Sequence, residues 1–173
     1  EKAFPELEKP ALDKLVGRTY KNLTDVIVEG LKGFTMTRKQ ILKRHKILNP
    51  ELVKPFYESG RSVISLPCHY GNWEWGSLSP ALQTDYPIIA FYEPLSNPWI
   101  DRFLKWSRAR FGTALASIYE TSQTFKQREG IATAYIMAAD QSPSNPDKAY
   151  WVNFLGLETA FLHGPEKHAM DNN

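Results

Sequence analysis

The sequence predicts an α/β domain with a central, mostly parallel or mixed sheet covered by helices, and three observations carry that prediction. Apolar residues recur at helical spacing near the start. Short β-rich runs then alternate with capped helices, and those runs are apolar enough to be buried on both faces. The 173 residues read as a single domain over 1–173. A chain of this length buries roughly 70% of its unfolded surface, enough for one hydrophobic core.

Each element has a local cause. Leu12, Leu15, Val16, Leu23, Ile27 and Leu31 fall at helical spacing in a polar stretch and Gly33 stops it, which predicts a long first helix. Thr37 and Gln40 form a capping-box pattern that opens a short basic helix containing Arg38, Lys39, Lys43, Arg44 and Lys46. Asn49-Pro50-Glu51 predicts the start of another, ended by Gly60, and Asn97-Pro98 predicts a helix over 98–111 ended by Gly112. Asparagine caps free amides at these starts, and proline at the first helical position sacrifices no hydrogen bond. The β-rich runs are 62–66, 86–92, 114–118 and 131–138, each bounded by glycine, proline or a capping residue. Residues 141–148, with Pro143 and Pro146, read as an exposed loop.

Composition excludes several classes. With 42% apolar and 23% charged residues the chain is neither disordered nor fibrous, and a net charge of +2 gives no general signal for nucleic acid. A single cysteine builds no disulfide framework and fits a reducing compartment. The longest apolar run, Ile131 to Ala139, is shorter than the roughly 20 residues of a spanning helix. A start at Glu1, without methionine or a signal region, reads as a fragment or a processed form.

The chemistry concentrates at Pro67-Cys68-His69-Tyr70-Gly71-Asn72-Trp73-Glu74-Trp75, where a buried strand ends and a helix begins. Asn72 is placed to cap that helix, Glu74 falls in its first turn, and Gly71 lets the chain reverse between Glu74 and His69. A neutral imidazole removes a proton from an alcohol, and a carboxylate on its other nitrogen fixes the tautomer. The expectation is a His69–Glu74 pair acting on a hydroxyl that belongs to the substrate. A structural histidine and a carboxylate favoured by the helix dipole produce the same spacing, so spacing alone leaves both readings open.

The blocks around that motif resemble a known family. His69-Tyr-Gly-Asn-Trp-Glu74 fits the His-x4-Asp/Glu signature of glycerolipid acyltransferases. Phe4 to Glu6, Arg18 to Glu29, Tyr92 to Pro98, Arg108 to Gly112, Asp140 to Pro143 and Phe154 to Gly156 are similar, in order, to blocks of the late acyltransferases of lipid A biosynthesis. The Asp-Gln-Ser-Pro form of one block looks like the branch found in Bacteroidetes-type bacteria. The resemblance implies a glycerolipid-acyltransferase-like fold and transfer of an acyl chain from acyl carrier protein, or coenzyme A, to a hydroxyl of a lipid A precursor or related glycolipid. It implies no further cofactor, and a location at the cytoplasmic face of the inner membrane. His69 would be the general base and Glu74 its orienter. It also implies that an N-terminal membrane helix and C-terminal residues lie outside this chain. Phe154-Leu-Gly156 departs from the aromatic pair of the family block, which bears on the shape of the acyl pocket.

Other residues have narrower readings. Arg108 and Arg110 are candidate donors to the oxygen that gains charge when a thioester is attacked, though arginine near a helix end also simply suits the dipole. Asp140 closes the apolar run from Ile131, where it would point into the site or hold an arginine; Asn72 is a cap first and a substrate contact second. Cys68 neighbours His69 but should face away from it on extended chain. His163 and His168 are five apart and do not share a helix face, so no metal site is expected. The basic helix 38–46, to which His45 is assigned no role beyond its face, reads as a solvated surface. If it binds, anionic headgroups or the acidic carrier protein suit it better than nucleic acid, for want of interleaved aromatics. Trp99, Trp106 and Trp151 read as core or interface residues, with headgroup depth as the alternative. Two rival functions remain: a thioesterase in which the same pair activates water, and a non-catalytic lipid-binding protein.

Overall fold

The computed structural model describes residues 3–172. Helix α1 (Lys9–Gly33) carries Pro10 in its first turn and runs on to the predicted glycine stop. In α2 (Arg38–Arg44) the capping box is complete: the Thr37 hydroxyl accepts the Gln40 N–H, and the Gln40 side chain accepts the Thr37 N–H. The helix expected from Asn49 is not continuous. A 3-10 turn at Pro50–Leu52 precedes α3 (Lys54–Glu58), and Asn49 makes no capping bond. Pro55 fits a restart here, because it falls in the first turn of α3, where its missing amide costs no helical hydrogen bond, whereas inside a continuous helix from Pro50 it would remove one.

All four β-rich runs form strands: β1 (Val63–Ser65), β2 (Ile88–Tyr92), β3 (Thr113–Ser117) and β4 (Ala134–Ile136). They make one parallel sheet in the order β1-β4-β2-β3. Between them lie α4 (Trp73–Leu78), α5 (Pro98–Ala109) and α6 (Thr121–Gln127). Asn97 caps α5 as its position predicts, its side chain accepting from the Trp99 and Ile100 amides. Helix α6 is not legible in the sequence, because Phe125 is the one apolar residue in Thr-Ser-Gln-Thr-Phe-Lys-Gln and no period shows. Beyond the sheet, β5 (Tyr150–Phe154) and β6 (Leu157–Phe161) pair as an antiparallel hairpin, followed by α7 (Gly164–Asp171). The hairpin turns at Leu155-Gly156, both at positive φ (52° and 74°), where the usual sequence signal would be Asn-Gly.

Alternation along β2 fills both faces of the sheet. Ile88 joins Tyr86 and Ala134 under Val53 and Tyr57, while Ile89 joins Tyr135 and Phe125 of α6 on the opposite face. Burying a side chain of this size contributes about 1.5–3 kcal/mol, so these residues fix the register of the central strands. A third cluster, Met36, Ile41, Trp75 and Leu78, locks α2 and the start of α4 together. Helix α1 is less enclosed than its period suggests. Val26 and Gly33 are buried, but Tyr20, Leu23, Ile27 and Leu31 remain exposed.

His45 joins this third cluster at its edge rather than belonging to the basic face. Its Nδ1 lies 2.6 Å from the Oγ of fully buried Ser79, and its Nε2 approaches Gly76. Burial lowers the His45 pKa below 6.5, and burial does the same for His168, stacked on Phe125. The unfolded chain therefore binds more protons than the folded one just below pH 6.5. Stability held above that pH is expected to fall as pH drops through the folded-state values. Thermal melting between neutral pH and about pH 5 should show this decline, with a shallower slope in His45→Asn.

Candidate active site

The site lies at the C-terminal ends of the parallel strands, where the loops after β1 and β4 leave neighbouring positions. Val63 pairs with Ala134, Ile64 with Tyr135 and Ser65 with Ile136, a constant offset of 71 residues. Carried four residues past the last pair, the same offset sets His69 level with Asp140. The side chains meet there: His69 Nδ1 lies 2.8 Å from Asp140 Oδ1, and the His69 backbone N–H donates to Oδ2 at 2.6 Å. Both carboxylate oxygens thus hold one histidine, by its ring and by its backbone.

This arrangement corrects the expected pairing. The carboxylate on the His69 ring is Asp140, and the direct His69–Glu74 contact is not formed among the described hydrogen bonds. Glu74 instead receives a two-bond fork from Arg108, Nη2 to Oε1 at 2.7 Å and Nε to Oε2 at 3.2 Å. The cause is local. The Asn72 side chain accepts the Trp75 N–H and starts α4, so Glu74 sits in its first turn, where it meets Arg108 from the last turn of α5. Gly71, at φ 61°, lets the chain leave the loop that holds His69 and enter that helix.

Burial raises the Asp140 carboxyl's affinity for its proton, but the hydrogen bonds from the His69 backbone and ring outweigh it and bring the pKa below 3.8. Asp140 is therefore an anion at neutral pH, and an anion facing Nδ1 favours a proton there. The lone pair is then on Nε2, the state a general base requires. Trp73 meets the His69 ring edge-on at 5.2 Å between centroids. Asp140 and His69 each keep 32% of their side-chain surface accessible, so the pair is open to a substrate.

The remaining predicted residues separate by what they touch. Arg110 does not face the His69 pair: its guanidinium donates to the Gly33 carbonyl at 2.6 Å and reaches those of Ser107 and Met36. The last turn of α1 leaves carbonyls without helical partners and carries the negative end of its dipole, so a cation is drawn there. Asn72 caps α4 and also donates to Glu29 Oε2 at 2.9 Å. Glu29 is a site neighbour that sequence reasoning did not single out, although it closes one of the resemblance blocks. Helix α1 approaches closely enough that a Cβ on Gly30 would lie 3.5 Å from Glu74 Cγ. Cys68 is exposed and free, and no Cys68 bond to His69 occurs among the described hydrogen bonds.

No hydroxyl or thiol of the chain is bonded to the His69 ring among the described residues. An imidazole held by a carboxylate at the strand ends of an α/β sheet is an arrangement suited to general-base chemistry. The chain belongs to the bacterial lipid A biosynthesis acyltransferase family, whose sequence model matches residues 1–173. It is an acyltransferase of that family, as the ordered blocks around His69 imply. No individually curated protein matches it.

Proposed function

We propose that the protein transfers a fatty acyl group from an acyl thioester, with acyl carrier protein as donor, to a hydroxyl of a lipid A precursor or related glycolipid. The observation that carries the reading is the double hold of Asp140 on His69, which leaves Nε2 free to take a proton. The acceptor oxygen gives its proton to Nε2 and bonds to the thioester carbonyl carbon. The tetrahedral oxyanion collapses, the C–S bond breaks, and the leaving thiolate takes the proton from the imidazolium. No covalent acyl-enzyme forms in this sequence.

Arg108 supplies positive charge beside that step. Its fork onto Glu74 fixes the guanidinium plane while leaving other N–H groups for a substrate oxygen. Asn72 supports the same assembly by starting the helix that carries Glu74. The reaction is placed at the cytoplasmic face of the inner membrane, where such acceptors and donors meet. No helix among the described residues is long and apolar enough to cross a membrane.

One observation favours a second reading. The His69 pair is open enough for water to replace the acceptor hydroxyl, which would make the protein a thioesterase. One assay separates the two. Purified protein is given acyl carrier protein loaded with a fatty acid, with and without a hydroxylated glycolipid, and the products are resolved by mass spectrometry. An acylated glycolipid that forms only with acceptor present is the expected result. Free fatty acid released at the same rate in both mixtures would overturn the transferase reading.

A further inference from the structure

Val26, Glu29, Gly30 and Gly33 fall at helical spacing near the end of α1, and the last three meet α4 or its cap. Two glycines keep the approach close. A Cβ on Gly30 would reach Glu74 Cγ at 3.5 Å, and one on Gly33 would reach Trp75 Cδ1 at 3.5 Å. Glu29 is the polar member of the face and holds α4 twice. Its carbonyl accepts the Trp75 indole N–H at 3.0 Å, and its Oε2 accepts from Asn72 Nδ2 at 2.9 Å.

An asparagine amide accepts at one end and donates at the other. Asn72 Oδ1 accepts the Trp75 N–H at 3.2 Å and so opens α4, while Nδ2 is taken by Glu29. Turning the amide over would set its NH2 against the Trp75 N–H and its oxygen against the Glu29 carboxylate. Both ends oppose that flip, and the end facing a charge opposes it more strongly. We propose that Glu29 is a positioning residue for the Glu74–Arg108 pair. It fixes the Asn72 amide, the amide fixes the first turn of α4, and from that turn Glu74 receives the two bonds of the Arg108 fork.

The fork needs this support because its two parallel bonds tolerate little rotation of the carboxylate. Among the described hydrogen bonds Glu29 meets neither His69 nor Arg108, so its influence passes through Asn72. The other partner is tied to the same helix. Arg110, just past the end of α5, donates to the Gly33 carbonyl at 2.6 Å, and α1 thereby holds both sides of the fork. In giving the fork a part in acyl transfer the inference rests on the proposed function, but the place of the fork is measurable without any substrate.

The test follows the Arg108 Nε–H signal in proton–nitrogen correlation spectra of the purified protein, assigned by its loss in Arg108→Lys. A guanidinium held in a fork should give a resolved, slowly exchanging signal. Glu29→Ala is expected to shift that signal and speed its exchange, and to lower kcat about tenfold or more with KM for the donor changed less than about twofold. Glu29→Gln, whose amide oxygen can still accept from Asn72, should bring both readouts most of the way back. Asn72→Asp separates positioning from plain capping. Aspartate caps a helix as well as asparagine does, so capping alone predicts a protein like the parent. Facing Glu29, however, it opposes two carboxylates, and kcat should fall about tenfold or more. Adding Glu29→Gln to Asn72→Asp should restore the rate, since the new amide can donate to the new carboxylate. In a Glu74→Gln background Glu29→Ala should cost less than about twofold more. A folded Glu29→Ala protein with an unmoved Arg108 signal would overturn the inference. So would an Asn72→Asp protein whose signal matches the parent's, or one whose shifted signal Glu29→Gln leaves unrelieved. If these signals move as expected while the parent itself makes no acylated glycolipid, the positioning stands and the transfer reading falls.

Discussion

Replacing Asp140 with asparagine is expected to lower kcat for acyl transfer by about a hundredfold to ten-thousandfold, with little change in KM. The size follows from a count of acceptors. Asp140 offers two oxygens, and His69 uses both, one for its backbone N–H and one for Nδ1–H. Asparagine has one carbonyl oxygen. If that oxygen keeps the backbone bond, the amide NH2 faces Nδ1, and the ring must carry its proton on Nε2 instead. The base is then protonated at the position where it should accept. His69→Ala sets the floor for comparison. A folded Asp140→Asn protein with kcat within about threefold of the parent would exclude Asp140 as the group that orients the imidazole.

The second large effect is expected at Arg108. Arg108→Lys keeps a positive charge but cannot make two parallel bonds to Glu74, so kcat should drop about a hundredfold to a thousandfold. Glu74→Gln should cost less, because a neutral amide still accepts one bond and the guanidinium can remain near its place. The two pairs can be told apart by combination. Within each pair, His69 with Asp140 or Glu74 with Arg108, the second substitution should add little to the first; across pairs the free energies should nearly add. The pH profile gives an independent readout. If Asp140 orients the base, Glu74→Gln should leave the acid limb of kcat/KM where it is, while a large shift of that limb would return Glu74 to the imidazole.

Much of this molecule is written locally. The capping box at Thr37 and Gln40, the Asn97 cap on α5 and the Asn72 cap on α4 each need a few adjacent residues, and all three stand as their spacing predicts. The four parallel strands were legible as short β-rich runs bounded by glycine, proline or a capping residue, and the two central ones, β2 and β4, are also the most buried. Elements without such a signature were not. Helix α6 has a single apolar anchor, and the β5–β6 hairpin turns on Leu155-Gly156 rather than on the usual turn residues. Pro55 splits the helix that Asn49-Pro50 predicts, because a proline is accommodated in a first turn but not in the interior of a helix begun five residues earlier.

The candidate site divides in the same way. The sequence by itself determined the family, the strand-to-helix location of His69 and Glu74, and Asp140 at the end of a β-rich run. It could not choose which carboxylate meets the imidazole, since Glu74 is five residues from His69 along the chain and Asp140 is 71. The strand order puts β4 beside β1, and its parallel register carries the offset of 71 from the sheet into the loops. Packing of α5 on α4 then delivers Arg108 to Glu74. Local sequence specifies caps and periods, because those depend on neighbours; the partner of His69 depends on strand order and register, which exist only once the sheet has formed.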